Sequence, residues 1–163
     1  MEQKMGTALK YGDNINTDII SPPQYMELSI DAAAAYAMQA VDPDFAKRVK
    51  VGDFFVAENN LGSGSSRETS PLSLRYLGIS CVIAKSFARI FYRNCVNVGI
   101  PALQCEDTPR IQDGNQLRVD VLQGIIENIT RKETYHCDAL PEHILAIIQA
   151  GGMFEYLKMQ QKG

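Results

Sequence analysis

The chain has 163 residues, of which 45% are hydrophobic and 21% charged, and its formal net charge is −3. This length and apolar content predict a single domain over residues 1–163 with a sizeable hydrophobic core. The charges are interspersed without a basic patch, no apolar run reaches the roughly 18 residues that cross a bilayer, and the N-terminus lacks the apolar core of a signal peptide. We therefore expect a cytoplasmic protein with neither nucleic acid nor a membrane as a partner.

The first part of the chain predicts short elements separated by turns. A strand is expected to begin at Ala8 and to end in a turn at residues 12–14, where Gly, Asp and Asn follow one another. The Ser-Pro-Pro sequence at residues 21–23 predicts a stiff loop without regular structure. The alanine-rich segment at residues 29–40 predicts a helix, which Pro43 would end.

Residues 53–104 alternate between apolar, strand-like segments and helical ones. Strands are predicted at residues 53–58, 80–84 and 100–104, and helices at residues 71–77 and 86–98, each closed by a glycine. A strand, helix, strand, helix, strand order indicates parallel pairing and an α/β fold. The last third predicts an antiparallel strand pair at residues 116–122 and 125–130, then two helices at residues 142–149 and 153–159.

The loop after the strand predicted at residues 53–58 reads Gly-Ser-Gly-Ser-Ser-Arg-Glu at residues 62–68. Glycine allows the backbone to come close to a ligand, and N–H groups at a helix start attract anions. Arg67 in a first helical turn would oppose the helix dipole, and a bound anion would remove that conflict. The planar guanidinium also matches a carboxylate or a phosphate. These features favour an anion-binding loop.

The same residues allow a purely structural interpretation. Ser65 and Glu68 have the spacing of a capping box, in which each side chain caps an N–H group of the helix start. Pro71 would then lie inside the helix, whereas a helix that begins at Pro71 with Ser70 as its cap would leave the loop available for binding. The spacing alone does not separate the two possibilities.

A second polar cluster, Asn-Thr-Asp-Ile-Ile-Ser-Pro, occupies residues 16–22. By itself it is typical of a turn in which Thr17 and Asp18 bind the local backbone. A third cluster covers residues 86–94, where Arg89 and Arg93 lie on one helical face at four-residue spacing. A solvated helix face explains these arginines, although they could also hold a partner or mediate assembly.

Cysteine and histidine usage argues against a metal site or a histidine-based centre in this chain. The two histidines, His136 and His143, fall at a strand end and at a helix start. No two cysteines have the Cys-x-x-Cys spacing of zinc or iron–sulfur ligands, and an apolar context predicts that they are ordinary core residues. The four cysteines are Cys81, Cys95, Cys105 and Cys137.

Together the three motifs, in this order and spacing, resemble the small subunit of 3-isopropylmalate dehydratase, a family homologous to the C-terminal swivelling domain of aconitase. The resemblance runs from about residue 6 to residue 157. It implies a swivelling β/β/α domain and a reversible dehydration and rehydration of a hydroxy di- or tricarboxylic acid. It also implies a separate large subunit, which would hold a four-iron four-sulfur cluster as the cofactor.

The resemblance assigns roles to individual residues. Ser65 corresponds to the catalytic serine that takes a proton from the carbon next to a carboxylate, and Ser66 and Arg67 correspond to neighbours that bind the substrate carboxylate. Thr17 and Ser21 correspond to residues at the site edge. Asp18 at the same edge corresponds to a catalytic residue. It would orient a second catalytic group, which is expected to be a histidine of the large subunit.

The loop at residues 24–28 corresponds to the family segment that helps to select the substrate side chain. An arginine there would suggest a third carboxylate, as in homoaconitate, but Tyr25, Met26 and Leu28 favour an apolar substituent, and Glu27 is expected to face solvent. Isopropylmalate is the expected substrate, and dimethylmalate, methylmalate and homoaconitate remain open as alternatives. The alternative function is a non-catalytic module that binds a carboxylate or phosphate. In addition, the isolated chain could form a homo-oligomer.

Overall fold

The structure is a computed structural model that describes residues 3–162. Its strands form one mixed sheet and are numbered in chain order: β1 (Lys4–Lys10), β2 (Phe54–Ala57), β3 (Cys81–Ala84), β4 (Ala102–Gln104), β5 (Gln116–Asp120), β6 (Ile125–Asn128) and β7 (Glu133–His136). The described residues also form α-helices: α1 (Thr17–Ile20), α2 (Ile30–Ala34), α3 (Phe45–Arg48), α4 (Thr69–Leu77), α5 (Arg89–Asn97), α6 (Glu142–Ala150) and α7 (Met153–Lys162). Among these helices none is both long and apolar enough to span a bilayer.

The sheet has the strand order β4-β3-β2-β1-β5-β6-β7, with β1 at the junction of two halves. Strands β1 to β4 pair in parallel, and β5, β6 and β7 continue from β1 in antiparallel fashion. All four residues of β2 and of β3 are buried, as expected for parallel strands that are covered on both faces. The predicted α/β class, parallel core and antiparallel pair are confirmed.

Two hydrophobic clusters lie on opposite faces of the parallel strands. One contains Phe55 and Val82 together with Leu74 of α4 and Phe91 of α5. The other contains Phe54, Ile83 and Leu103 with residues of α6 and of β5, β6 and β7. Since the antiparallel strands contribute side chains to the same cluster as β2 and β3, the sheet curls over this second face. Helices α4 and α5 cover the first face.

The helix predicted at residues 29–40 is wrong in its length. Helix α2 ends at Ala34, and residues 35–41 form successive turns. Met38 adopts a positive φ of 62° and is fully buried, and its N–H donates to the carbonyl of Ile20. Burial of Met38 therefore overrides the helix propensity of the alanines and folds the segment back towards α1.

Other elements differ at their boundaries or were not predicted. Strand β1 begins at Lys4 rather than Ala8. Helix α5 begins at Arg89 rather than at residue 86, because Phe87 pairs with Leu61 as a β-bridge. Helices α1 and α3, of four residues each, carry too little periodicity to be predicted. The first residues of β7 were also missed, although His136 does lie at the end of that strand.

Candidate active site

The three sequence motifs meet at the edge of the sheet where β1, β2 and β3 end. The N–H of Gly62, in the loop after β2, donates to the carbonyl of Ile15 at 2.7 Å. The N–H of Leu61 donates to the carbonyl of Ser86 at 3.0 Å, and the N–H of Ala88 donates to the carbonyl of Leu61 at 2.9 Å. The carboxyl ends of parallel strands are where open α/β sheets commonly bind ligands. We call residues 61–68 the site loop.

The site loop is seated on helix α5 through Gly62. This glycine has a φ of +87°, a conformation that L side chains rarely adopt, and a Cβ at this position would lie 2.0 Å from Cγ of Phe91. Phe91 is itself almost fully buried. Only glycine therefore allows the loop backbone to approach the ring this closely, and the contact fixes where the following serines begin.

Thr17 fastens the other end of the loop. Its N–H donates to the carbonyl of Ser63 at 2.9 Å, and its hydroxyl donates to the carbonyl of Ser65 at 2.9 Å. The hydroxyl of Ser70 donates to the carbonyl of Thr17 at 3.3 Å. Thr17 is buried, so it holds the backbone of the serine pair, whereas the substrate contact expected from the resemblance stays a prediction.

Asn16, rather than Thr17 or Asp18, makes the local backbone contact of the second motif. Its side-chain oxygen accepts a hydrogen bond from the N–H of Ile19 at 2.9 Å and caps α1. The polar cluster at residues 16–22 is therefore a short capped helix, and the simple turn is wrong. This leaves the side chain of Asp18 free to contact the site loop.

Ser65 and Ser66 are exposed on the surface of the site loop. Helix α4 begins only at Thr69, its N-cap position is Glu68, and no side chain makes a capping hydrogen bond there. The capping box is therefore not formed, and Ser70 lies within the helix rather than at its cap. Of the two possibilities that the spacing left open, the structure favours the one in which the loop is available to a ligand.

Arg67 lies before α4, so the predicted conflict between this cation and the helix dipole is wrong. Its Nη2 lies 3.1 Å from Oδ1 of Asp18. The Arg67 side chain is 16% exposed and the Asp18 side chain is 52% exposed, so the arginine is mostly buried and the aspartate lies at the surface. The ion pair joins two motifs that the resemblance placed in one site.

Two buried polar atoms of the site have no hydrogen-bonding partner among the described residues: Nη1 of Arg67 and Oγ of Ser21. Buried polar groups in proteins are nearly always paired, and an unpaired one costs free energy. Both residues are among those predicted to bind substrate. Nη1 of Arg67 is therefore a donor that a carboxylate or hydroxyl group could satisfy, whereas Nη2 is already paired with Asp18.

A cavity of about 150 Å³ opens next to Ser21. Tyr25, Met26 and Leu28 line it, so the residues predicted to surround an apolar substituent do share one cavity. Tyr25 is held in place because its ring stacks on Tyr36, with the ring centroids 3.8 Å apart. The neighbouring Glu27 is exposed as expected.

Helices α2 and α4 form the other wall of this cavity, which the sequence analysis missed. That wall consists of Ile30, Ala33, Thr69, Leu72 and Ser73. The last three follow helical spacing and so share one face of α4. That spacing, read immediately after the serine and arginine motif, is the signal that could have found them.

Residues 86–88 of the third motif hydrogen-bond to residues 60 and 61, at the start of the site loop. The hydroxyl oxygen of Ser86 accepts a hydrogen bond from the N–H of Asn60 at 2.8 Å. Arg89 and Arg93 are exposed, which agrees with a solvated helix face and leaves a partner or assembly role as a prediction. In the structure, residues 86–88 contribute backbone support to the site.

None of the four cysteines is part of the site loop. Cys81 and Cys95 are fully buried, and Cys105 is nearly so, which confirms the prediction of core cysteines for Cys81 and Cys105. Burial raises the pKa of the Cys81 thiol to about 12. Within residues 3–162 no three His, Cys, Asp or Glu side chains converge as metal ligands, so the described residues do not fit as a ligand set for an iron–sulfur cluster.

The chain matches known proteins over nearly its whole length. The family model of the aconitase C-terminal domain matches residues 13–108. The 3-isopropylmalate dehydratase small subunit of Methanosarcina mazei is 47% identical over 154 residues, which are 94% of this chain and 95% of that protein. The 2,3-dimethylmalate dehydratase small subunit of Eubacterium barkeri is 42% identical over 159 residues, which are 96% of this chain and 98% of that protein.

A solved structure agrees with these sequence matches. The crystal structure of 3-isopropylmalate dehydratase from Methanocaldococcus jannaschii superposes with a TM-score of 0.94 at 38% identity, covering 98% of this chain and 96% of that one. The predicted fold and the resemblance noted from the three motifs are both confirmed. The chain therefore belongs to the aconitase C-terminal domain family, among the small subunits of 3-isopropylmalate dehydratase and its relatives.

Proposed function

We propose that this chain is the small subunit of a cytoplasmic hydro-lyase that interconverts 2- and 3-isopropylmalate and that acts only with a large iron–sulfur subunit. One observation carries the proposal. Arg67 is ion-paired to Asp18 and has an unpartnered Nη1, it directly follows the exposed Ser65–Ser66 pair, and the helix that begins at Thr69 lines an apolar cavity. This is the arrangement that a dicarboxylate with an alkyl side chain needs.

Arg67 and Ser66 would bind a carboxylate of the substrate. A guanidinium donates two parallel hydrogen bonds to a carboxylate, and Nη1 is the donor without a partner among the described residues. Asp18 holds Nη2 at 3.1 Å and so keeps the fork oriented before substrate arrives. The further role expected for Asp18, orienting a histidine of the large subunit, is compatible with its exposed carboxylate.

Ser65 would act as the base. Its oxygen would take the proton from the carbon next to the bound carboxylate, while the hydroxyl group leaves the neighbouring carbon and an unsaturated dicarboxylate forms. Rehydration with the opposite regiochemistry would return the proton from Ser65 and yield the isomer. The backbone of Ser65 is already fixed, because its carbonyl accepts the hydroxyl of Thr17.

A serine hydroxyl needs strong acidification to serve as a base at neutral pH. A helix N-terminus contributes at most about 2 kcal/mol, or roughly 1.5 pKa units, and α4 begins four residues after Ser65. Arg67 and backbone N–H groups must act in a site closed to water, where electrostatic interactions are stronger. Since Ser65 is exposed in this chain, a partner has to cover it.

The large subunit would provide both that cover and the cofactor. When bound there, the four-iron four-sulfur cluster expected from the family would act as a Lewis acid toward the leaving hydroxyl. This chain contributes the carboxylate clamp, the base and the side-chain cavity. The exposed edge around Ser65 also makes self-association of the isolated chain a reasonable expectation.

The cavity beside Ser21 would receive the substrate side chain. Its lining by Tyr25, Met26, Leu28 and Leu72 is mostly apolar, and it holds no arginine for a third carboxylate. A volume of about 150 Å³ suits a small alkyl group such as isopropyl. A second candidate substrate is 2,3-dimethylmalate, because the E. barkeri relative named for it is 42% identical over 96% of this chain.

Reconstitution tests the proposal. The purified chain is mixed with a large subunit from a 3-isopropylmalate dehydratase whose cluster has been rebuilt, and formation of the unsaturated intermediate is followed by its ultraviolet absorbance. We expect activity with 3-isopropylmalate that exceeds the activity with 2,3-dimethylmalate. The reverse order would assign the second substrate. A stable complex that binds dicarboxylates without any turnover would instead support the non-catalytic binding module.

A further inference from the structure

The curled sheet brings its two edge strands together at a pair of cysteines. Strands β4 and β7 are at opposite ends of the strand order, yet the N–H of Asp138, just after β7, donates to the carbonyl of Gln104 at the end of β4, at 3.2 Å. Cys105 follows Gln104, and Cys137 precedes Asp138. This backbone contact therefore makes the two cysteines neighbours. We call the contact between the end of β4 and the end of β7 the seam.

The two sulfur atoms are held at this seam by their own backbones. The N–H of Cys105 donates to the carbonyl of Ala84 at 2.9 Å, and the N–H of Cys137 donates to the carbonyl of Gly124 at 2.6 Å. Both thiols are free, and both side chains pack in the same hydrophobic cluster, the one that contains Phe54 and Leu103.

The surroundings also differentiate the two sulfurs. Cys105 is 1% exposed, whereas Cys137 is partly exposed. The hydrogen bond from the Cys137 thiol lowers the pKa of Cys105 despite burial, and the N–H of Asp107 contributes to this lowering. The same contact with Cys105, together with burial, raises the pKa of the Cys137 thiol. Cys105 is therefore the stronger nucleophile of the pair, and Cys137 is the thiol that is accessible from solvent.

We propose that Cys105 and Cys137 form an oxidisable dithiol site that closes into an intramolecular disulfide on exposure to a peroxide. Hydrogen peroxide oxidises the first sulfur to a sulfenic acid and is reduced to one water molecule. The second sulfur then attacks the sulfenic sulfur, the S–S bond forms, and the hydroxyl leaves with a proton as a second water. The two thiols supply both electrons and both protons, so no other co-reactant is needed.

The other two cysteines serve as internal controls. Cys81 and Cys95 are fully buried, and burial raises the pKa of each thiol. Both features slow oxidation, because the thiolate is the reactive form and the oxidant must reach it. The proposed site is independent of the proposed function, since it lies on the seam and does not include the site loop.

Peptide mass spectrometry of the full-length chain tests the proposal. The protein is treated with hydrogen peroxide at the dose and for the time that fully oxidise glutathione in a parallel tube, and it is then denatured, alkylated and digested. We expect a linked peptide pair joining Cys105 to Cys137, lighter by two hydrogens than the sum of its parts, in the monomer fraction. Cys81 and Cys95 should remain alkylated. The variant Cys137→Ser should give no linked pair and should leave Cys105 as a thiol or a sulfenic acid.

Three results would overturn the proposal. Both seam thiols could stay fully alkylated at the dose that oxidises glutathione. Cys137 could instead end as a sulfinic or sulfonic acid without a link to Cys105. A link found only between two chains, separated as a dimer without reducing agent, would show that the seam does not hold the sulfurs close enough. The wild-type measurement needs no variant, so the test does not depend on whether Cys137→Ser folds.

Discussion

The contact between Gly62 and Phe91 makes a quantitative prediction about how the site loop is held. In the variant Gly62→Ala the new Cβ would lie 2.0 Å from Cγ and 2.2 Å from Cβ of Phe91, at a φ of +87°. The change adds one methyl group and removes no hydrogen bond. Its effect therefore reports two costs only, that of the backbone conformation and that of overpacking against the ring.

Gly114→Ala separates these two costs. Gly114 has a φ of +88°, almost the same as Gly62, but a Cβ there would meet nothing within 4 Å. The left-handed conformation alone costs roughly 1–2 kcal/mol for an L side chain, so we expect that loss for Gly114→Ala. Overpacking adds about 1–3 kcal/mol. Gly62→Ala should therefore lose about 2–5 kcal/mol of unfolding free energy.

Urea unfolding of the two variants and of the wild type, analysed by linear extrapolation, measures the difference. If the loop shifts instead of the ring, part of the stability loss disappears, but the serines then leave their positions and activity in the reconstituted complex falls. A Gly62→Ala variant that is no less stable than Gly114→Ala and that keeps full activity would refute the seating of the loop on Phe91.

Three further predictions concern the clamp, the cavity and a charged network. Arg67→Lys keeps the positive charge but loses the two parallel N–H donors of the guanidinium. A hydrogen bond to a charged group is worth about 1.5–3 kcal/mol, so kcat/KM for 3-isopropylmalate should fall roughly 10- to 150-fold with little change in Tm. An unchanged kcat/KM would exclude Arg67 from substrate binding. Ala33→Leu enlarges a side chain on the α2 wall and so reduces the volume of the cavity. Since one methylene in a pocket is worth about 1–3 kcal/mol, kcat/KM for 3-isopropylmalate should fall by about 10-fold or more relative to 2,3-dimethylmalate. Equal losses for both substrates would show that the substrate side chain does not bind in this cavity. Burial would raise the pKa of Asp42, but hydrogen bonds from Tyr11 and Arg48 outweigh it and hold the pKa below its usual value. The contribution of Asp42 to stability is therefore present above a pH of about 4 and is lost as the pH falls through the lowered pKa. Urea unfolding should find Asp42→Asn less stable than wild type at pH 7, with a smaller difference in unfolding free energy at pH 3. A difference that does not change with pH would contradict this.

The elements that the sequence predicted well are those whose signal is local. Strands β2 and β3 are unbroken apolar runs that need burial on both faces, and glycines close the helices near them, so their positions follow from short-range patterns. Residues 29–40 have an equally clear local signal, yet the prediction is wrong in its length. There the burial of Met38 against α1, a tertiary contact, outweighs the propensity of the alanines.

The candidate site shows the same division between local and long-range information. The exposed serines and the apolar character of residues 24–28 could be predicted from residue types alone. The ion pair between Arg67 and Asp18 could not, because it joins two segments that only the parallel sheet brings together. The same is true of Leu72, which becomes a cavity wall only because α2 packs against α4.

The central claim is that the Ser65 hydroxyl becomes a base once a partner closes over it. The most direct measurement is the rate of 3-isopropylmalate dehydration by the reconstituted complex carrying Ser65→Ala, with complex formation verified by light scattering. Ser63→Ala is the matched control, because this neighbouring serine binds Thr17 through its backbone carbonyl. We predict that Ser65→Ala lowers kcat by about 10²–10⁴-fold and that Ser63→Ala stays within a few-fold of wild type. An intact Ser65→Ala complex with near wild-type kcat would contradict the account.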